Sequence, residues 1–202
     1  MSTVTAADVK ALRDVTGAGM MDCKKALQES EGDTERAIQI LREKGLASVA
    51  KRSDRAADQG LIDAYVHFNN TVGVLIEVNC ETDFVAKTPE FRTLVKDLAL
   101  HVASMSPRWI TSEDVPDDVV DGERKIFEAQ AAESGKPDNV IPKIVEGKLG
   151  AFFKDHCLVD QPFVKDDSRT VGALIDEVSA KLGEKIVVGR FARYKLGEGA
   201  EG

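Results

Sequence analysis

The apolar positions of this chain keep two rhythms, and the change between them divides it into stretches. In the first fifty residues the rhythm is helical. Thr5 and Asp8 have the spacing of a capping box, Val9, Leu12 and Val15 repeat every three residues, and Gly17 provides a stop. A second short helix is expected with Asp22 as its cap, with Cys23, Ala26 and Leu27 on one face and Gly32 beyond. A third follows Asp33, with Ala37, Ile38 and Leu41 as its stripe and Gly45 as its end. None of the three stripes is wide enough to stabilise a helix alone, so the three must pack on one another through the Gly17-Ala18-Gly19 turn. Residues 46–59 carry Ala, Lys, Arg and Asp with no apolar stripe. The sequence predicts a linker there, of helical leaning, ended by Gly60.

From residue 61 the rhythm changes to alternation. Leu61–Phe68 and Val72–Asn79 are β-rich, and Asn69-Asn70-Thr71 between them is a hairpin signal, because Asn tolerates left-handed backbone angles. Val72, Val74, Ile76 and Val78 share one face of the second run. Cys80–Lys87 interrupts. Thr88-Pro89-Glu90 then starts a helix with Pro in its first turn, and Phe91, Leu94, Val95, Leu98 and Val102 follow at spacings of three and four. Pro107–Ile110 reads as extended. Helices are predicted at about 117–134, stopped by Gly135-Lys136-Pro137, and at about 139–155 on Ile144, Val145, Leu149 and Phe152. Residues 157–164 read as extended. A last helix runs from Thr170 through Val171, Leu174, Ile175 and Val178 to Gly183, and Lys185–Leu196 is a β-run able to join the hairpin as a third strand. No internal repeat or low-complexity tract occurs. The fold class is α+β: a three-helix domain over 1–46, a linker over 47–59, and over 60–202 a core of a small antiparallel sheet packed with helices.

Composition narrows the function more than the fold. With 202 residues, 43% hydrophobic and 31% charged, the chain is long enough to bury a substantial core. Residues 1–57 hold ten lysines and arginines against nine aspartates and glutamates, a balance of +1, which leaves −9 for the rest of a chain whose net charge is −8. So acidic a body excludes a general nucleic-acid binder. Cys23, Cys80 and Cys157 form no C-x-x-C pair and no disulfide framework. Neither an apolar leader after Met1 nor a run of 18 apolar residues occurs, so no membrane is expected as a partner and the location expected is the reducing cytoplasm.

Catalytic signatures are absent: there is no G-x-S-x-G, P-loop, G-x-G-x-x-G or H-E-x-x-H, and the three histidines and three cysteines lack metal-ligand spacing. His156-Cys157 could form a thiol pair, but adjacent residues point in different directions, and a helix-end His beside a half-buried Cys explains them. Residue chemistry therefore favours a binding protein over an enzyme, without a cofactor or metal. Two places could bind. Met20-Met21, at the tight turn between two helices, either plugs the small core or sits at an interaction surface, since flexible Met is common at such surfaces. Asp83-Phe84 either serves a turn whose Phe covers the end of the Phe91 helix or projects at a partner. Spacing leaves both pairs open.

Thr16-Gly17-Ala18-Gly19-Met20-Met21-Asp22-Cys23-Lys24-Lys25-Ala26-Leu27 and Glu77-Val78-Asn79-Cys80-Glu81-Thr82-Asp83-Phe84-Val85 closely resemble the two signatures of the translation elongation factor Ts family. His101-Val102-Ala103, Ser134-Gly135-Lys136-Pro137, Gln161-Pro162-Phe163-Val164 and Thr170-Val171-Gly172 also look like family segments, in the family's order. The resemblance implies a guanine-nucleotide exchange factor for elongation factor Tu, used in protein biosynthesis, with an N-terminal three-helix domain similar to ubiquitin-associated domains. It further implies that Thr82–Val85 approaches the magnesium and phosphate site of the partner's GTPase domain, Phe84 wedging between two helices while Asp83 perturbs the magnesium region. By the same resemblance Met20, Met21 and Lys24 touch another helix of that domain, and the segment around Leu182-Gly183-Glu184 is similar to a family interface turn.

One departure from the family's pattern carries a further expectation. Many members have a core of two similar halves, each with its own sheet, whereas this chain has one hairpin and one C-terminal β-run and looks like the short form. Tyr65-Val66-His67 resembles a Tyr-x-His segment that longer members carry in their second half. The expectation is a homodimer built through residues 60–202, with His67 of one copy working beside Phe84 of the other. Two rivals remain: a plain adaptor, in which a ubiquitin-associated-like module sits on an interaction domain, and an unrecognised thiol or carboxylate enzyme.

Overall fold

The computed structural model describes residues 4–133 and 137–199. Its helices are α1 (Ala6–Thr16), α2 (Met20–Glu29), α3 (Thr34–Ala50), α4 (Asp83–Ala86), α5 (Pro89–Met105), α6 (Asp117–Glu133), α7 (Ile141–His156) and α8 (Val171–Leu182). Its strands are β1 (Gln59–Val66), β2 (Val72–Cys80), β3 (Pro162–Phe163), β4 (Asp166–Thr170) and β5 (Ile186–Lys195). The class is α+β, helices with a small antiparallel sheet, as the apolar rhythms predict. β1, β2 and β5 form a three-stranded sheet in that order, so the C-terminal β-run does join the hairpin. The chain divides into two compact units. One comprises Met1–Leu61, Val78–Leu94 and Ile175–Val187, the other Ile62–Glu77, Val95–Leu174 and Val188–Gly202.

In the first unit, α1 begins with the predicted capping box: the Thr5 N–H donates to the Asp8 carboxylate at 2.9 Å and the Asp8 N–H to the Thr5 hydroxyl at 3.2 Å. Gly17 ends it at φ 66°. Val9, Leu12, Cys23, Ala26, Leu27, Ala37 and Ile40 form one buried cluster, and Ile38 and Leu41 pack on its flank. Val15 departs from the prediction and is exposed. At 3.6 residues per turn, a residue six places after Val9 has rotated well off the buried face. Asp22 is not the cap of α2 either. Gly19 holds that position, and Asp22 lies in the first turn, where a carboxylate still suits the helix dipole. Asp33 does cap α3, accepting from the Arg36 N–H at 3.0 Å.

Gly45 does not end α3, which continues to Ala50. A Cβ at Gly45 would lie 3.3 Å from the Ala180 Cβ, so this glycine permits a close approach of α8. Gly60 is not the end of a linker but lies inside β1 at φ 150°, where a Cβ would come within 2.1 Å of the Val78 carbonyl oxygen. Thr88 caps α5, accepting from the Phe91 N–H at 3.3 Å, and Phe91 and Leu94 are buried beyond it.

In the second unit the hairpin turns through Asn70 at φ 57°, closed by the His67 N–H on the Val72 carbonyl at 2.9 Å. Val74 and Ile76 are buried and Leu75 between them is exposed, as alternation predicts. Val95, Leu98 and Val102 continue the buried stripe of α5. Beside them lies His101, fully buried. Its Nδ1 accepts from the Val164 N–H at 3.2 Å, which leaves Nε2 to donate to Gln161 Oε1 at 2.9 Å.

Trp109 and Cys157 form an isolated parallel bridge, so the stretch Pro107–Ile110, read as extended, is strand-like at Trp109 and bends at Arg108 and Ile110. Residues 157–164 differ: Leu158–Asp160 form a 3₁₀ turn before β3, which pairs antiparallel with β4. Val115, Phe152 and Cys157 are buried together, with Trp109, Val119, Val120, Phe127 and Phe153 against them. The predicted stop at Gly135-Lys136 falls outside the described residues.

Candidate partner-binding site

The end of β2 and the start of α5 are joined by a turn tied down at both ends, in which Phe84 is bound through its main chain, its carbonyl accepting the Lys87 N–H at 3.3 Å. Cys80 is buried, and its thiol donates to the Thr82 carbonyl at 3.1 Å. Burial pushes that thiol above its ordinary value, and the Glu184 carboxylate raises it further. Thr82 is extended (φ −131°, ψ 154°) and caps α4, its hydroxyl accepting the Val85 N–H at 3.4 Å. The same hydroxyl donates to Glu184 Oε1 at 2.6 Å, while the N–H groups of Glu81 and Thr82 both donate to Glu184 Oε2, at 3.1 and 3.0 Å.

Glu81 answers in the other direction. Its Oε1 accepts the Lys185 N–H at 2.7 Å, and Arg55 Nη1 lies 3.1 Å from Oε2. The Lys185 N–H, with the Arg55 guanidinium, holds the Glu81 carboxyl below its ordinary value. Lys185 Nζ in turn donates to the carbonyls of Ser53 and Arg55.

Downstream, the Thr88 hydroxyl donates to the Val85 carbonyl at 2.8 Å, and Ala86 is buried. Asp83 pairs with Lys87 at 2.5 Å, one helical turn away, and Lys87 Nζ lies 6.0 Å from the centre of the Phe84 ring. Phe84 itself is 79% exposed. The reading in which it covers the end of the Phe91 helix is therefore excluded: an aromatic ring stands in solvent on a turn fixed at both ends. Asp83 beside it is also exposed, and Val85 is half-buried.

The other candidates divide between the two units. Met20 and Met21 are exposed in the first turn of α2, and Lys24 lies on the same open side, so neither methionine plugs the three-helix core. Leu182 is half-buried at the end of α8, where Gly183 turns at φ 76° and delivers Glu184 to the Thr82 hydroxyl. His67 belongs to the second unit. Its Nδ1 lies 2.9 Å from the Tyr65 hydroxyl, and its ring centre is 4.4 Å from that of Phe68. Phe68 is 88% exposed, and with Ile62, Val66 and Leu75 it makes the hairpin markedly apolar outward. Sequence reading missed this feature, although alternation in Ile62, Ala64 and Val66 could have signalled it.

The thiol chemistry considered for His156-Cys157 has no support. Cys157 is buried, which pushes its thiol up to about 11, with Asp160 and Asp114 adding to the shift. The His156 ring packs on Phe152 at 4.7 Å and meets Trp109 edge-on at 6.3 Å. A buried thiol of that kind is a poor nucleophile. Among the described residues no group of three or more His, Cys, Asp or Glu could hold a metal ion. Among them, too, no helix is long and apolar enough to cross a membrane.

The family profile described as Elongation factor TS matches residues 2–198. Among the chain's relatives, the protein named Elongation factor Ts from Moorella thermoacetica is 58% identical over 196 residues, covering 97% of either chain. Its namesake from Thermoanaerobacter sp. strain X514 is 54% identical over 198 residues, 98% of this chain and 97% of the relative. That of Thermosipho melanesiensis is 52% identical over 195 residues, 96% of this chain and all of the relative.

Proposed function

The chain belongs to the elongation factor Ts family, and from that premise we propose that it binds elongation factor Tu and promotes release of its GDP, Phe84 and Asp83 acting on the partner's magnesium and phosphate site. Such a factor catalyses no chemical step and needs no cofactor of its own. It must bind the nucleotide-free partner more tightly than the loaded one, and the coupling is reciprocal, so bound GDP weakens the factor's hold by the same ratio. Its place of work is the cytoplasm, where translation elongation occurs.

The observation that carries this reading is the 79% exposure of Phe84 on a turn tethered from both sides. An exposed ring of this kind costs little to desolvate and is already placed for insertion. Burying it between partner helices supplies about 1.5–3 kcal/mol. That is roughly one to two decades of rate at about 1.4 kcal/mol per decade. A larger acceleration requires Asp83, whose carboxylate competes for the magnesium region. Met20, Met21 and Lys24 contact a second helix of the same domain in this reading, and Leu182 lies at the edge of the interface turn.

A homodimer is part of the proposal. The outward apolar side chains Ile62, Val66, Phe68 and Leu75 supply a surface for a second copy, which would set His67 of one copy to work with Phe84 of the other. Light scattering at micromolar concentration tests it: a mass near 21.9 kDa, that of one chain, would remove the dimer.

The exchange activity is tested by mixing the chain with elongation factor Tu carrying fluorescent GDP and following release, with Phe84→Ala and Asp83→Ala alongside. Acceleration by the parent chain and its reduction in both variants is the expected result. No acceleration by the parent would leave a plain adaptor. Full acceleration by both variants would refute the wedge.

A further inference from the structure

We infer that Glu184 is the positioning residue for the Thr82–Val85 turn, acting with Glu81 and Lys185 as a reciprocal carboxylate clamp that fixes Phe84 in its projecting pose before any partner arrives. The inference rests on the exchange reading and names what makes that site competent.

A helix of one turn cannot hold itself. Closing the first hydrogen-bonded turn fixes several dihedrals for a single bond, so α4, four residues long, needs outside support for its direction. Ala86 and Thr88 supply it on the C-terminal side. On the N-terminal side the support comes from Glu184. One carboxylate accepts two consecutive backbone N–H groups and a hydroxyl, a set that fixes the path of the main chain and not only a side chain.

Reciprocity makes the device stiff. Glu184 holds the backbone of residues 81 and 82, while Glu81 holds the backbone of residue 185. Neither segment can swing without breaking bonds at both carboxylates. Arg55 and Lys185 then tie residues 53–55 to the same point. The Thr82 hydroxyl joins the clamp to the helix: because its proton goes to Glu184 Oε1, its lone pairs face the Val85 N–H. Removing the Glu184 carboxylate frees that proton, leaves two N–H groups without their acceptor and lets the base of the turn open. A binding group that is not fixed beforehand must be ordered on association, at a cost in affinity.

The test uses the full chain with Glu184→Ala and the conservative Glu184→Gln. Amide hydrogen exchange read by NMR reports the clamp directly. In Glu184→Ala the Glu81 and Thr82 amides should exchange about tenfold faster or more, as expected for lost hydrogen bonds to a charged acceptor. The Ile76 amide should not change, and Glu184→Gln should recover part of the protection. In the GDP-release assay, Glu184→Ala should raise the half-saturating concentration about tenfold, while in a Phe84→Ala background it should add about threefold or less, because of the two projecting groups only Asp83 then depends on the pose of the turn. Unchanged protection of the two amides overturns the inference, and so does an equal loss of activity in both backgrounds. Should Glu184→Ala unfold the chain, Glu184→Gln decides on the same two amides: exchange faster than in the parent is expected, and exchange at the parent rate overturns the clamp. If Phe84→Ala releases GDP as fast as the parent, the wedge fails, and the amide exchange of residues 81 and 82 judges the clamp by itself.

Discussion

Gly60→Ala is the substitution that most directly tests how the end of β2 is held. Gly60 adopts φ 150°, a conformation L side chains rarely take, and a Cβ there would stand 2.1 Å from the Val78 carbonyl oxygen and 2.8 Å from the Asn79 Cα. Both atoms are main chain, so no rotamer change can clear the clash. The backbone conformation costs about 1–3 kcal/mol, and forcing the added carbon into a packed site costs about 1–3 kcal/mol more. For a chain of this size each kcal/mol moves the melting temperature by about 2–4 °C. The variant should therefore melt roughly 5–20 °C below the parent. Gly122→Ala is the control. It lies inside α6 with nothing within 4 Å of its would-be Cβ, and it has no left-handed backbone angle. There alanine should add about 0.5–1 kcal/mol of stability. Thermal unfolding followed by far-ultraviolet circular dichroism reads both. A Gly60→Ala chain that melts with the parent, or a Gly122→Ala chain that loses as much as Gly60→Ala, would refute the reasoning.

Three further outcomes follow from other sites. Burial holds His101 below its ordinary value, partly offset by its bond to Gln161, so the unfolded chain takes up the proton first. Stability is full above about pH 6.5, the unfolded value, and is lost as the pH falls through the folded one. Urea midpoints at pH 7.5 and pH 5 should differ more for the parent than for His101→Gln, and equal differences would contradict this. Leu12→Ala, in the buried cluster of the first unit, should cost about 2–5 kcal/mol, whereas Val15→Ala, on the exposed side of the same helix, should stay within about 0.5 kcal/mol; denaturant melts separate them. Cys23, Cys80 and Cys157 are all buried, so mass spectrometry should find the native chain nearly free of iodoacetamide at pH 8 and all three sites labelled in urea.

What the sequence made legible was local. Thr5 with Asp8, Asp33, and Thr88 before Pro89 mark helix starts because each makes its bond within three residues of itself. The alternation in Val74–Val78 is equally local and places the buried face of β2 correctly. The errors came where distant residues decide. Gly45 looks like a terminator in its own neighbourhood, yet it is needed because Ala180 packs against it. β4 is Asp-Asp-Ser-Arg-Thr, without a β-forming signal, and exists because it pairs with β3. Phe84 was undecidable by spacing, since a single helical turn has no period to read. Glu184 stood in a recognisable turn, but its bonds to residues 81 and 82 cross a separation that no local pattern reports.

That separation has a consequence for how the protein is made. Thr82 and Glu184 are 102 residues apart in sequence and meet through a 2.6 Å bond. On the ribosome, the stretch bearing Phe84 emerges long before the residue that steadies its base. Loop closure over such a span also carries an entropic penalty that local contacts avoid. The turn is thus among the last parts to take its final form, and a nascent chain interrupted before residue 184 would carry the aromatic ring without its support.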